Sequence, residues 1–218
     1  MPTDWTQALL VMGVALVMGS FAVGVISNIR RGNDVMRWMQ GGLPRLGEKS
    51  TLRWLGSSVV ELGIQKARPP FRRLELLLVM VPRDVPWLWL WSRAQGRRDT
   101  LILRGQLASA PRLEYDLIAP GSWSARSARA RAESARWENE ALEEHTFYAP
   151  RASLPVSRGA APALLKAARD VHPQVWRVAL RREYPHLELH VPLPNSKKED
   201  ASRFFEAMRS LAQQIVAS

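Results

Sequence analysis

Cysteine is absent from the chain. Its absence excludes disulfide staples, thiolate-held zinc, iron–sulfur clusters and a cysteine nucleophile, and it accords with a reducing compartment. Acids are outnumbered, with 20 against 31 basic residues and a net charge of +11, and arginine greatly exceeds lysine. A surplus of that size suits a phosphate-rich partner, either nucleic acid or an anionic membrane surface. The arginines are scattered along the whole chain and no RNA-binding signature accompanies them, so a membrane ranks ahead of nucleic acid.

Catalytic signatures are missing as well. There is no G-x-S-x-G elbow, no H-E-x-x-H pair and no G-x-G-x-x-G fingerprint. The run from Gly42 to Ser50 comes near a phosphate loop, but Glu48 stands where that loop needs lysine, and a carboxylate there repels phosphate. No cofactor is expected, and no repeat of fixed period is present.

The longest absence is of charge. From Trp5 to Ile29 there is none, and Ala8 to Ile26 is almost wholly apolar. About 20 such residues cross a hydrocarbon layer of roughly 30 Å, and a helix does so while satisfying its own backbone. A secretory signal would begin with basic residues, whereas Asp4 and no base precedes this run. Arg30, Arg31 and Arg37 follow it. By the retention of positive flanks on the cytoplasmic side, the expectation is a single-pass protein of the inner membrane, with its N-terminus outside and its bulk in the cytoplasm. Trp38 is expected at the headgroup level, and the spacings Ala15/Gly19 and Ser20/Gly24 would allow two such helices to approach closely.

The chain divides into an anchor at 1–29, a basic juxtamembrane segment at 30–49 that Gly41-Gly42 and Pro44 close, and a soluble domain at 50–218. Strand character appears at 51–55, 59–67, 71–81, 100–107 and 112–118, and short strands in succession favour an antiparallel meander. Residues 122–144, rich in Ser, Ala, Arg and Glu, read as a mobile loop or a solvated helix, in either case a mobile or solvated connector. Pro162 is expected to start a short helix that His172-Pro173 ends. Trp176, Val178 and Leu180, then Leu187, Leu189, Val191 and Leu193, alternate with polar residues as two strands of a hairpin. Ser196 and Glu199 have capping-box spacing ahead of a last helix with Phe204, Met208, Leu211 and Ile215 on one face. The whole is an α+β chain: one N-terminal transmembrane helix, a mostly antiparallel β-meander domain, and a C-terminal helix–strand–strand–helix unit.

Two clusters invite a functional reading. Trp87, Trp89 and Trp91 alternate with leucines after Pro86, with Arg83 and Asp84 before them and Arg93, Arg97 and Arg98 after. Asp84 is placed to cap a short helix there, and the composition matches segments that lie in a membrane interface, although indoles also fill cores. With Arg30, Arg31, Arg37 and Trp38 they form a candidate membrane-interface set. His186, Glu188 and His190 share one strand face, with His145 and His172 the remaining histidines. That face reads either as a polar solvent surface or, with a third ligand from elsewhere, as a metal-dependent or hydrolytic site. The leading expectation is a non-enzymatic interaction domain that binds the bilayer and its anionic headgroups, a protein partner, or a second copy of itself.

Overall fold

The computed structural model describes residues 3–217, apart from the side chains of Thr3, Asp4, Ser124 and Ala125; the acid expected to flank the span is therefore outside the described side chains. Helix α1 runs without interruption over Thr3–Gln40. Nine antiparallel strands follow as one sheet: β1 Ser50–Trp54, β2 Val59–Ile64, β3 Phe71–Val79, β4 Thr100–Leu107, β5 Tyr115–Ile118, β6 Glu138–Leu142, β7 His145–Ala149, β8 Arg177–Leu180 and β9 Leu187–Pro192. Between them lie α2 Pro86–Ala94, α3 Trp123–Ser134 and α4 Leu154–Val171, and α5 Ala201–Ala217 closes the chain. The architecture is α+β.

Sheet order is β1-β2-β3-β4-β9-β8-β5-β7-β6. The first four strands pair in chain order as the expected meander, with β3 and β4 joined through α2, whereas the fifth stretch leaves it: β5 pairs with β7 and β8. The β8–β9 hairpin does not pack on that meander but joins it edge to edge, with Leu103 opposite Leu189 and Leu101 opposite Val191. One face of the sheet is covered by α4, α5 and the last turns of α1. There Leu62, Leu76, Leu103, Leu189 and Val178 meet Leu165, Phe205 and Met208 in the main core. Successive strand residues point to opposite faces, so the same periodicity that builds this core sends every other residue to the second face.

Three expectations need correction. Residues 122–144 do more than connect: the largely exposed helix α3 lays Ala128 and Ala132, four residues apart, against Ile118 and Tyr148 on the second face, and 138–142 is edge strand β6. Small side chains let that helix lie close without an apolar stripe of large residues. Helix α4 begins at Leu154, with Pro155 in its first turn, and Pro162 sits inside it on the exposed side. The last helix is capped by Asp200, whose carboxylate accepts the Ser202 N–H at 2.8 Å, while Glu199 instead takes the Asn195 N–H at 2.7 Å.

The foot of α1 belongs to the domain. Gly24, Asn28, Gly32, Val35, Met36 and Met39 are buried along one helical face. A Cβ at Gly24 would collide with the Arg83 backbone carbonyl, and one at Gly32 would meet the Trp54 ring. Gly24 thus serves contact with the domain rather than a second copy of α1. Trp38, expected among lipid headgroups, is instead buried between α1 and α5: its ring centroid lies 5.4 Å from Phe204 and 5.9 Å from Phe205, and its Nε1–H donates to the Glu199 carbonyl at 2.6 Å. The nearby apolar side chains of α5 out-compete the interface for that indole. Replacing fully buried Phe205 by alanine should lower the unfolding free energy by about 3–5 kcal/mol, read by urea denaturation in detergent. A loss below about 1 kcal/mol would mean that the foot of α1 is not packed as described.

Candidate functional site

Among the described residues, α1 is the one helix long and apolar enough to cross a membrane; its apolar stretch has mean hydropathy 2.5 and is only 6% buried. Trp5 to Phe21 is exposed almost throughout, and burial by the domain begins at Gly24. The 19 residues from Trp5 to Val23 rise about 28 Å, close to the thickness of a hydrocarbon core.

At the point where α1 leaves the domain, α2 begins. The Gly24 contact lies on the Arg83–Asp84 backbone just ahead of Pro86, and Pro86 opens the helix as its sequence predicts, since its missing N–H costs nothing in a first turn. Asp84 is not the cap. Val85 occupies that position without a side-chain bond, and Asp84 accepts from Ser57 at 3.4 Å. Of the three tryptophans, Trp87 and Trp91 are 65% and 60% exposed, on one face with Leu90 at 61%. Trp89 is half-buried, with the Arg93 guanidinium 5.4 Å from its ring. The expected trio therefore splits into two outward indoles and one that seats the helix.

A polar clamp that the sequence reading missed ties α1 to this region. Asp99, buried at the start of β4, accepts from both Arg83 nitrogens at 2.8 and 3.2 Å and from the Val81 N–H at 2.8 Å, and it pairs with Arg31 Nε at 2.7 Å. Asn28, fully buried in α1, accepts a second bond from Arg83 at 2.8 Å and donates to Ser58 at 3.1 Å. Arg31 is thus a bridge to the domain, while Arg30 and Arg37 are exposed and Arg37 stands 3.7 Å from Asp34. The one signal in the sequence was Gly24-x-x-x-Asn28-x-x-x-Gly32, a small and polar stripe on an otherwise apolar helix.

The second candidate lies on the other face of the sheet. Register places Glu188, Ala179 and Asp116 in one row and His190, Arg177 and Ile118 in the next. Glu188 and His190 do not form a solvent face: they are 6% and 4% exposed, and Asp116 and Arg177 are buried beside them. Arg177 donates to Asp116 at 2.9–3.3 Å and to Glu188 at 3.2 Å, and Arg181 adds a bond to Asp116 at 2.9 Å. His190 meets Glu188 at 2.7 Å. Burial opposes ionisation of Glu188, but the bond from His190 and the charges of Arg177 and Arg104 outweigh it and bring its pKa down to about 2. Burial pushes His190 down in spite of the Glu188 carboxylate, so the neutral ring donates through Nε2, and Arg177 supplies the charge that holds Glu188 ionised.

The histidines are not gathered. His186 Nδ1 accepts the Leu107 N–H at 3.2 Å, His145 Nε2 sits 2.9 Å from the Val175 carbonyl, and His172 takes the Gln174 N–H at 3.1 Å. Among the described residues no group of three or more His, Asp or Glu side chains is placed to hold a metal ion. Glu188 is engaged through Oε1 by His190 at 2.7 Å and Arg177 at 3.2 Å, contacts that tie it into the ion cluster. Comparison with known proteins adds no relative: no protein-family description and no curated protein matches the chain.

Replacing Arg177 by methionine leaves Asp116 and Glu188 short of a buried partner and should destabilise the domain by about 3–5 kcal/mol in urea unfolding. Both Glu188 and His190 have pKa values held below their ordinary ones, so acid weakens the fold through each. His190 contributes stability above the unfolded histidine pKa and loses it as pH falls below about 6.5. Glu188 contributes fully above its unfolded pKa near 4.5 and loses it progressively towards about 2. Unfolding free energies measured from pH 7.5 down to 4 should decline with acid, and Glu188→Gln should flatten the lower limb.

Proposed function

We propose that this chain is a single-pass membrane protein whose α+β domain rests against the cytoplasmic face of the inner membrane and works as an interaction module rather than as an enzyme. The observation that carries the reading is the contact of Gly24 with the start of α2. It brings Trp87, Leu90 and Trp91, an outward apolar face, beside the residue at which the bare part of α1 begins. Indoles on one edge of a domain, level with the end of an exposed apolar helix, suit the headgroup region, where an amphipathic ring keeps its apolar body in lipid and its N–H in water. Arg30 and Arg37, exposed on the domain side of the span, support the cytoplasmic orientation and offer contacts to anionic headgroups. The bilayer is accordingly the first partner. A protein or a second copy would engage surfaces away from α2, and Ala15 and Gly19 remain on the bare part of α1 for a helix of the same kind.

A metal-dependent or hydrolytic role for the His186/Glu188/His190 face gains nothing from the geometry, because two of the three groups are buried in an ion cluster and bonded to each other. Nucleic acid binding gains little, since the arginines of α3 and of the α1 foot lie on different parts of the surface.

The absence of cysteine makes the test direct, because a single introduced thiol is the one site of labelling. A spin label at Leu90→Cys in proteoliposomes should be more accessible to oxygen than to a water-soluble nickel chelate, and one at exposed Val156→Cys the reverse. In intact spheroplasts an impermeant maleimide should leave Val156→Cys unmodified until the membrane is opened. Equal accessibility at the two spin-labelled sites, or labelling of Val156→Cys from outside, would overturn the arrangement.

A further inference from the structure

Two adjoining hollows flank the polar clamp and share Arg31, Arg83 and Leu193 as common walls. The larger, about 810 Å³, runs down α1 from Val23 and Ile26 to Arg30, with Lys197 among the residues facing it. Its upper wall is apolar, and its lower wall sets Arg30, Arg31, Arg83 and Lys197 against one carboxylate, Asp34, so it is basic on balance. The smaller, about 380 Å³, is lined by Arg31, Arg83, Arg93, Arg97 and Arg98 against a single carboxylate, Asp99. That carboxylate is already occupied by Arg83, Arg31 and a backbone N–H. It has nothing left to neutralise the other three arginines. Among the described residues none of Arg30, Arg93, Arg97 and Arg98 has a carboxylate at ion-pair distance.

The guanidinium groups of Arg93, Arg97 and Arg98 are nonetheless oriented by neighbours. Arg93 lies 5.4 Å from the Trp89 ring, Arg97 lies 5.7 Å from the Trp123 ring, and Arg98 donates to the Arg93 and Arg97 carbonyls at 3.1 and 2.8 Å. Positioned cations without counter-ions, around a hollow of ligand size, are arranged for an anion supplied from outside. Guanidinium forks match the paired oxygens of a phosphate.

The position of the hollow selects the source of that phosphate. Arg31, which lines both hollows, stands eight residues beyond Val23, about 12 Å down the helix axis. Headgroups occupy roughly 5–8 Å beyond each face of the hydrocarbon core, within reach of an arginine side chain that extends back towards them. On the membrane placement proposed above, on which this inference rests, the apolar upper wall adjoins acyl chains and the basic floor adjoins headgroups. We propose that this composite groove is a binding site for an anionic phospholipid, with Arg93, Arg97 and Arg98 gathered on its phosphate and Val23 and Ile26 beside its acyl chains.

The test uses the full chain in nanodiscs of phosphatidylcholine containing a minor share of phosphatidylglycerol, with lipids retained after mild delipidation counted by native mass spectrometry. The wild-type chain should retain phosphatidylglycerol in preference to phosphatidylcholine. The variant Arg93→Gln/Arg97→Gln/Arg98→Gln should lose about tenfold or more of that retention. The charge-matched control Arg53→Gln/Arg126→Gln/Arg129→Gln, altered at exposed positions elsewhere, should keep it. Equal loss in both variants, or no preference in the wild type, overturns the site. Glycerol 3-phosphate binding to the chain in phosphatidylcholine alone as tightly as the lipid binds would assign the arginines to a soluble phosphate and overturn the lipid. Flotation and the Leu90→Cys label, read on the same preparations, separate the cases: a chain outside the bilayer sinks the membrane placement, whereas an inserted chain that retains no anionic lipid sinks only this inference.

Discussion

Asp99 is the point on which the relation between helix and domain depends. Its buried carboxylate gathers Arg83 from the loop after β3, Arg31 from α1 and the Val81 N–H, and Arg83 in turn reaches Asn28. A buried carboxylate with one cation is precarious, but this one has two cations and a backbone donor, so its desolvation is offset by several charge-assisted bonds. Those bonds fix the rotation and the depth of α1 against the sheet. With α1 set, Gly24 falls beside Arg83, α2 falls beside Gly24, and the outward face of Trp87, Leu90 and Trp91 takes its place at the end of the bare helix.

The two faces of the sheet solve different problems with the same alternation. One face carries leucine, isoleucine and valine to α4 and α5, and shape alone decides the fit. The other carries Asp116, Arg177, Glu188 and His190 into a region that α3 and its flanks also cover. There the charges are arranged so that every carboxylate meets an arginine, and Trp137 lies 4.7 Å from Arg181 at the margin of the cluster. Such a cluster adds little net stability over well-packed apolar residues but punishes a shifted register, because a slip of one residue would present each charge to the leucine core.

What could be read from the chain alone followed the strength of local patterning. The apolar run of α1, strands β1–β4 and the β8–β9 hairpin were legible because hydrophobic period or plain length marks them. Strand β6 was hidden, as an edge strand pairs on one side only and Glu138, Asn139 and Glu140 look like connector residues. Helix α3 was legible only as one of two options, a loop or a solvated helix, because its packing on Ile118 and Tyr148 rests on two alanines and the bond from Trp123 to Thr100 spans 23 positions. Of the tryptophans expected at the interface, Trp87 and Trp91 are exposed and Trp38 is buried, since nothing local distinguishes an indole bound for α5 from one left on the surface. Arg177 and Asp116 stand 61 positions apart in the chain, and only strand order brings them together.

Helix α1 contains no proline between Thr3 and Gln40, and its foot is clamped through Asn28, Arg31 and Trp38. Bare segment and clamped segment therefore form one rigid lever with no elbow. In the membrane arrangement proposed here, a change of some 20° in the inclination of the upper arm would carry Gln40, about 26 Å below Val23, sideways by about 9 Å. Local bilayer thickness, which sets how far a span must lean, would in this way be translated into the attitude of the whole sheet.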